Sequence, residues 1–247
     1  MVAPNTQIQA GWTVGPGWSI GSSAPNPVLV LNLDAANYTA MPVDGTTIAG
    51  SGGYTITTLN PQGTMSWDPA DGGIFRKTAP ADTDFLAFGP DYSATSDPYT
   101  VMMVYRSQPA FPGRLLNANS ASPDWLAGLW FNGSSYVQNT FYNNAFVGTP
   151  TPADNNWQFI WATYNGEPGA PFSQSYIANS TVPTSTYDTN ASNGGFDGLR
   201  LFGRYVNSTT SSEVPTADVG LVKVWDGVLS LSAIQTQWAT YKTRFGY

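Results

Sequence analysis

The stretch VGLVKVWDGVLSLSAIQTQW, Val219 to Trp238, joins two periodicities. Val219–Asp226 reads as a strand, and Asp226-Gly227 as a tight turn. Beyond the turn the pattern becomes helical. Leu231, Ile234, Trp238, Tyr241 and Phe245 are spaced 3, 4, 3, 4, which is one apolar stripe of a helix. Ser230 stands at the N-cap, where its hydroxyl can accept an orphan N–H. Leu229 and Ile234 can form a hydrophobic staple across that cap. Lys242 and Arg244 suit the negative end of the helix dipole, and Gly246 can supply a left-handed stop. A short amphipathic helix must lay its stripe on something, and the sheet containing the preceding strand is the expected partner.

Upstream, the chain is strands and loops. The β runs are PVLVLNLD (27–34), YTITTL (54–59), TMSWD (64–68), GIFRKT (73–78), DFLAFG (84–89), YTVMMVYRS (99–107), RLLNAN (114–119), WLAGLWFNG (125–133), SSYVQNT (134–140), WQFIWATYNG (157–166), SQSYIANS (173–180) and LRLFGRYV (199–206). Most have four to nine residues, are rich in Val, Ile, Thr and aromatics, and are bounded by Gly, Pro, Asn or Asp. That punctuation predicts an antiparallel sandwich or barrel. In 99–107, Tyr99, Val101, Met103 and Tyr105 alternate with Thr100, Met102, Val104 and Arg106, so both faces are apolar at the centre. In 157–166, Trp157, Phe159 and Trp161 share a face. Such strands are expected at the middle of a sheet, with a buried face and a bulky aromatic second face.

The first strand LVLNLDAANY, the middle WQFIWATYNG and the closing GLVKVWDGVLSLSAIQTQWATYKTRFG resemble the laminin-G-like domains of the concanavalin A-like lectin/glucanase superfamily. GGIFRKTAPADTDFLAFGPDYS is similar to the strand pair that precedes a central strand such as PYTVMMVYRS in those domains. The resemblance covers residues 28–247 and implies an all-β, two-sheet antiparallel jelly roll with one short C-terminal helix. One departure is Ala233, where the family often has the Glu that completes a capping box. The group includes lectins, glycosidases, adhesion modules and phage and marine-virus virion proteins, so it implies fold more strongly than function.

Residues 1–27 read as an N-terminal extended arm ahead of the 28–247 domain. The arm carries Trp12 and Trp18 among Gly and Pro. Two indoles are costly to leave in water, which makes Trp12 and Trp18 the expected partner-docking residues. The plainer reading is an arm packed on its own domain.

Composition narrows the chemistry. The 247 residues include 10% charged residues and carry a net charge of −7. Lysine is confined to Lys77, Lys223 and Lys242. No basic patch exists, so nucleic acid is not an expected partner. No apolar run is long enough to insert in a membrane. There is no Cys and no His, which removes disulfides, thiolate sites and the commonest general base. The N-terminus lacks a secretory signal pattern. The expected setting is a virion or the extracellular space, the former reached by lysis.

The expectation is a protein that is not an enzyme. Glucanases of this fold carry a Glu-x-Asp-x-(x)-Glu run on one strand, and no such run occurs. The two Glu residues, Glu167 and Glu213, fall in predicted loops. Asp68 with Asp71, and Asp82 with Asp84, are the available acidic pairs, and turn formation explains both. WDPADGG (67–73) and PADTDF (80–85) also have spacing that suits Ca²⁺, against the same turn explanation. No cofactor and no metal ligand is assigned.

Sugars bind by stacking on exposed aromatics beside amides and carboxylates. Asp124 and Trp125 at a loop–strand edge, and Tyr142, Asn143 and Asn144 as a turn flanked by aromatics, are the candidate ligand-binding residues. Core packing of the Trp and turn formation by Asn-Asn are the plainer readings. The reading reached is a non-enzymatic, virion-associated structural or decoration protein with a lectin-like domain. Its expected partners are capsid or other virion proteins, sister copies of the chain and surface glycans. A free carbohydrate-binding module or adhesin is the alternative, and a weak glycosidase the third.

Overall fold

The structure is a computed structural model. It describes residues 27–49, 53–59, 63–80, 83–91, 98–107, 113–119, 125–131, 136–143, 146–147, 151–152, 155–165, 173–177, 185–187, 196–207 and 210–247. The strands are β1 (Val28–Asp34), β2 (Ile56–Leu59), β3 (Met65–Asp68), β4 (Ile74–Lys77), β5 (Phe85–Asp91) and β6 (Tyr99–Ser107). Next come β7 (Leu116–Ala118), β8 (Trp125–Phe131), β9 (Tyr136–Asn143), β10 (Phe146–Val147), β11 (Thr151–Pro152) and β12 (Trp157–Tyr164). The last are β13 (Ser173–Ile177), β14 (Ser185–Tyr187), β15 (Asp197–Leu201), β16 (Arg204–Asn207), β17 (Thr210–Ser212) and β18 (Ala217–Asp226). One α-helix, α1 (Leu231–Tyr241), follows.

Two antiparallel sheets face each other, as the punctuated β pattern predicts. The first runs β14-β13-β12-β6-β18-β4-β3, and the second β10-β9-β8-β7-β15-β5-β2 with β11 beside β9. In the first sheet, β1 and β4 lie end to end along one edge of β18. Val28–Asp34 pairs with Asp226–Leu221, and Phe75–Lys77 with Val219–Ala217. Strands β16 and β17 form a separate hairpin.

The alternation in β6 and β12 sorts residues between two cores. Val101, Met103, Tyr105, Ile160, Ala162 and Tyr164 meet Leu86, Phe88, Trp125, Leu199 and Leu201 of the second sheet. Met102, Val104, Trp157, Phe159 and Trp161 face the other way and pack with Ile234 and Phe245. The aromatic second face expected from the sequence therefore lies beneath the C-terminal helix.

The closing segment keeps its predicted cap. Ser230 Oγ accepts from the Ala233 N–H at 3.3 Å, and Leu229 packs in the same cluster as Ile234. Three details differ from the expected stripe. Leu231, the first residue of α1, is exposed, while Trp238 and Tyr241 are half-buried. Phe245 lies past the helix, in the turns that follow it, and is buried on Trp157 at 4.6 Å between ring centres. Arg244 turns away from the helix end towards Asp34, leaving Lys242 over the Trp238 ring at 4.7 Å.

The run LRLFGRYV is two strands, not one. The chain breaks at Phe202 and Gly203, which take φ of 67° and 138°, and passes from the second sheet to the β16–β17 hairpin. Phe202 is buried, and its N–H donates to Leu115 O at 2.8 Å, which holds the corner. The arm at 1–27, with Trp12 and Trp18, lies outside the described residues except for Pro27.

Candidate functional site

Strands β2, β5 and β15 and the residue after β7 build a cleft on the second sheet. Its walls are Tyr54, Thr55, Thr57, Ala87, Phe88, Gly89, Asn119, Asp197 and Gly198, and its volume is about 290 Å³. Two backbone features shape it. The β5–β15 register shifts between Asp197 and Leu199, opposite Asp91 and Phe88, which places a bulge on β5 at Gly89-Pro90. Bulges re-aim side chains and interrupt pairing. Gly198 has φ of +83° and accepts the Asn119 N–H at 3.0 Å, which closes the floor.

Gly89 lets Tyr54 lie against the sheet. A Cβ at that position would come within 2.6 Å of the Tyr54 ring. The phenol thus sits on backbone and lines the cleft.

Asn119 is oriented from below. Arg200 Nε donates to Asn119 Oδ1 at 3.1 Å. A guanidinium has no acceptor, so the amide oxygen must face it and the amide NH₂ must point elsewhere. Arg200 is itself 1% exposed. Its guanidinium lies over Phe85 at 3.7 Å and Tyr205 at 4.7 Å. Burial pulls the group down to about 10, and it keeps its charge at neutral pH.

Asp197, next to Gly198, also lines the cleft. Its Oδ1 is buried and has no hydrogen-bond partner among the described residues. A buried carboxylate oxygen without a donor is costly, so Asp197 carries an unmet demand for one beside the cleft. The cleft therefore offers an aromatic ring, an amide donor, a carboxylate acceptor and the hydroxyls of Thr55 and Thr57.

A second cleft, of about 480 Å³, lies on the first sheet among Arg106, Asn155, Asn156, Trp157, Gln158, Phe245, Gly246 and Tyr247. Its aromatic surface is already covered. Arg106 sits over Trp157 at 4.8 Å, and Arg106 Nη2 donates to the buried Asp218 at 2.6 Å. Tyr247 Oη donates to Trp157 O.

Of the residues chosen from sequence, Trp125 is described in full, and it does not line either cleft. Trp125 is fully buried; its Nε1 donates to Tyr99 Oη at 2.8 Å, and its ring packs on Phe196 at 4.9 Å. It presents no face for a sugar. Tyr142 and Asn143 are not in a turn. Their backbone ends β9, paired with Leu126 and Trp125, and β10 begins at Phe146. Their side chains, together with Asp124 and Asn144, lie outside the described residues.

The Asp-rich loops perform turn and ion-pair work. Asp68 Oδ1 accepts from the Ala70 N–H at 2.8 Å and Oδ2 from Arg76 Nη1 at 2.5 Å. Asp71 takes a φ of 50° at the turn. Asp84 is buried against Thr64 and Lys77. Glu213 bridges Arg114 at 2.8 Å and Arg204 at 3.2 Å. Asp82 and Glu167 lie outside the described residues. Among the described residues, no three His, Cys, Asp or Glu side chains converge to hold a metal.

Tyr54, Asn119 and Asp197 were not singled out by sequence, where each sits at the end of a β run or in a Gly-rich stretch. A usable signal was the glycines. Gly89 and Gly198 interrupt strand patterns, which marks a bulge or a close approach.

No family model matches the sequence, and no curated protein matches it. Solved structures do. Domain 4 of AbnA, a GH43 extracellular arabinanase from Geobacillus stearothermophilus solved with arabinotriose, superposes with a TM-score of 0.53 at 14% identity, over 85% of this chain and 98% of that one. A botulinum neurotoxin type C chain, whose cell entry depends upon interaction with two ganglioside molecules, gives 0.61 at 13% identity, over 87% of this chain and 51% of that one. A Trypanosoma rangeli sialidase in complex with 2,3-difluorosialic acid gives 0.55 at 12% identity, over 89% and 34%. The chain thus spans about half of the toxin chain and a third of the sialidase. At these identities the likeness is one of fold: a jelly-roll sandwich.

Proposed function

We propose that this chain is a non-enzymatic, lectin-like module that holds a glycan in the Tyr54–Asn119–Asp197 cleft. One observation carries the reading. The Tyr54 ring, the Asn119 amide held through its oxygen by Arg200, and Asp197, one of whose oxygens is buried without a donor, line one open cleft. A sugar ring offers an apolar C–H face to the phenol and hydroxyls to the two polar groups. The structures of similar fold solved with arabinotriose or a sialic acid derivative, and the toxin whose cell entry depends upon two ganglioside molecules, support it. Binding is favoured over hydrolysis because the described walls contain a single carboxylate, whereas glycoside hydrolysis generally employs two.

The test is titration calorimetry against the glycans found on an oligosaccharide array. Wild-type protein should bind, and Tyr54→Ala and Asn119→Ala should each weaken binding at least about tenfold, the order of one lost stacking or hydrogen-bonding contact. Absence of any glycan ligand overturns the reading.

A virion-associated decoration role, with the laminin-G-like kinship that suggests it, is proposed on the sequence resemblance. Its test is removal of residues 1–27: unchanged incorporation into particles would end the docking role of Trp12 and Trp18.

A further inference from the structure

A charged side chain stands behind one wall of the cleft. Leu199 and Leu201 of β15 enter the sandwich core, so Arg200 between them points to the outer side of the second sheet. There its guanidinium lies against the Phe85 and Tyr205 rings, at 3.7 and 4.7 Å. The residue is buried and does not itself line the cleft. It reaches the cleft through one bond, Nε donating to Asn119 Oδ1 at 3.1 Å. Asn119 does line the cleft, and among the described residues nothing accepts from its Nδ2.

Resting on the glycan reading above, we infer that Arg200 fixes the hydrogen-bonding sense of Asn119, so that the cleft takes sugars that present an accepting oxygen to that amide. An Asn side chain can turn either its oxygen or its NH₂ to a ligand. Here the choice is made in advance. A flip would set Nδ2 against Arg200 Nε, donor against donor, and take the Asn119 acceptor from a buried charged N–H. The guanidinium charge also polarises the amide and strengthens its remaining N–H groups as donors. A hydroxyl, an ether oxygen or an acetamido carbonyl can meet such a donor. A protonated amine cannot, because it has no lone pair to offer, and it brings a like charge towards Arg200. Asn119 is thus a specificity-determining contact, and Arg200 is a positioning residue that acts through it.

The experiment starts from a glycan that the full chain binds on an oligosaccharide array. Its hydroxyls are replaced one at a time by fluorine, which only accepts, by an ammonium group, which only donates, and by hydrogen, which does neither. Affinities are measured by calorimetry, and melting temperatures show which variants fold. With wild type, one position should favour the fluoro analogue over the deoxy analogue, and over the amino analogue by at least about tenfold, the order of one hydrogen bond. Arg200→Met keeps bulk beside the two rings but frees the amide to turn. It should bring the fluoro and amino analogues at that position to within about threefold of each other. A purely structural loosening would weaken both alike and leave their ratio where it was. Arg200→Lys still carries charge and donors, and should keep the wild-type order. Asn119→Asp offers only acceptors and should reverse the order, and it decides the matter if Arg200→Met does not fold. A wild-type scan without such a position, or an Asn119→Asp variant that keeps the wild-type order, overturns the inference and leaves the glycan reading standing. A ratio that a folded Arg200→Met leaves unchanged overturns the role of Arg200. No glycan bound on the array overturns the glycan reading itself, and this inference with it.

Discussion

Arg244 Nη1 donates to Asp34 Oδ1 at 2.6 Å, joining residues 210 positions apart. The same guanidinium donates through Nε to Asp71 O at 2.8 Å and through Nη2 to Gly73 O at 2.7 Å. These groups lie where β1 ends and β4 begins along β18, so one side chain after the helix ties the gap in the sheet edge. The pair is largely shielded, with side-chain exposures of 16% and 11%. Arg244→Met leaves a shielded carboxylate with no counter-charge and only the Ala36 N–H as donor, and takes the Arg244 donor from two carbonyls. It should cost about 3–5 kcal/mol in urea unfolding. Arg244→Lys keeps the charge but loses the fork, and should fall between the two. A loss below 1 kcal/mol for Arg244→Met would place the pair among inconsequential surface ion pairs.

Phe245 and Gly220 form the second tie. Gly220 is the extra residue of a bulge in β18, where the register against β6 shifts between Val219 and Leu221. The Phe245 ring fills the space its missing side chain leaves, and a Cβ there would stand 2.3 Å from the ring. Phe245→Ala should cost about 3–5 kcal/mol, and Gly220→Ala about 1–3 kcal/mol through overpacking. The double variant should cost less than the sum, because the new methyl enters the vacated space. Trp238→Ala should cost less than Phe245→Ala, since Trp238 is only half-buried and its buried indole N–H has no partner. Equal costs would mean that the helix and the turn after it share the packing alike.

Sequence reading reached the sheets and the closing helix because both have a local period. Alternation in Tyr99–Ser107 and Trp157–Tyr164 places side chains on two faces wherever the strand lies, and the two cores follow. Ser230 caps because the helix starts there in sequence. The bulge at Gly220 was not legible, since its purpose is a ring 25 residues later. The break at Phe202 was hidden because an aromatic in a β run reads as a strand residue, while its positive φ is set by the corner with Leu115. Trp125 looked like a sugar platform at a strand edge, yet the phenol of Tyr99, from the facing sheet, takes its N–H. The cleft residues were illegible for a further reason. Tyr54, Asn119 and Asp197 come from three distant segments, and no spacing relates them until the sheet forms.

Lys77 and Asp84 make a testable corner between the sheets. Both are fully buried, at the end of β4 and just before β5. Lys77 Nζ donates to Thr64 Oγ1 at 2.9 Å and to Asp84 O at 3.1 Å; Asp84 Oδ2 accepts from Thr64 N and Oγ1, both at 2.6 Å. Lys77→Met strands a buried carboxylate and should cost about 3–5 kcal/mol. Adding Asp84→Asn removes that charge while keeping an acceptor for Thr64. The double variant should therefore be more stable than additivity predicts by about 1–3 kcal/mol. Strict additivity in a denaturant cycle would show that the two charges do not sense each other.

High pH should unfold the domain through its buried phenols. Burial raises Tyr99, Tyr164 and Tyr38, the last with help from the Asp34 charge. Tyr99 is the most enclosed, accepting from Trp125 Nε1 and packed on Tyr164 and Phe196 at 5.3 and 5.0 Å. Below about pH 10, the ordinary tyrosine value, both folded and unfolded chains hold these protons and stability does not depend on them. Above it the unfolded chain releases protons that the folded chain retains, so stability falls as pH rises. Tyrosinate absorbance should therefore rise in two stages, the exposed phenols first and the buried ones together with loss of near-ultraviolet circular dichroism. Tyr99→Phe should lower stability at neutral pH by about 1–3 kcal/mol, because the Trp125 N–H loses its acceptor. The same variant should show a shallower decline above pH 10, having one buried phenol fewer. A single-stage titration that precedes unfolding would show that these phenols ionise in the folded domain.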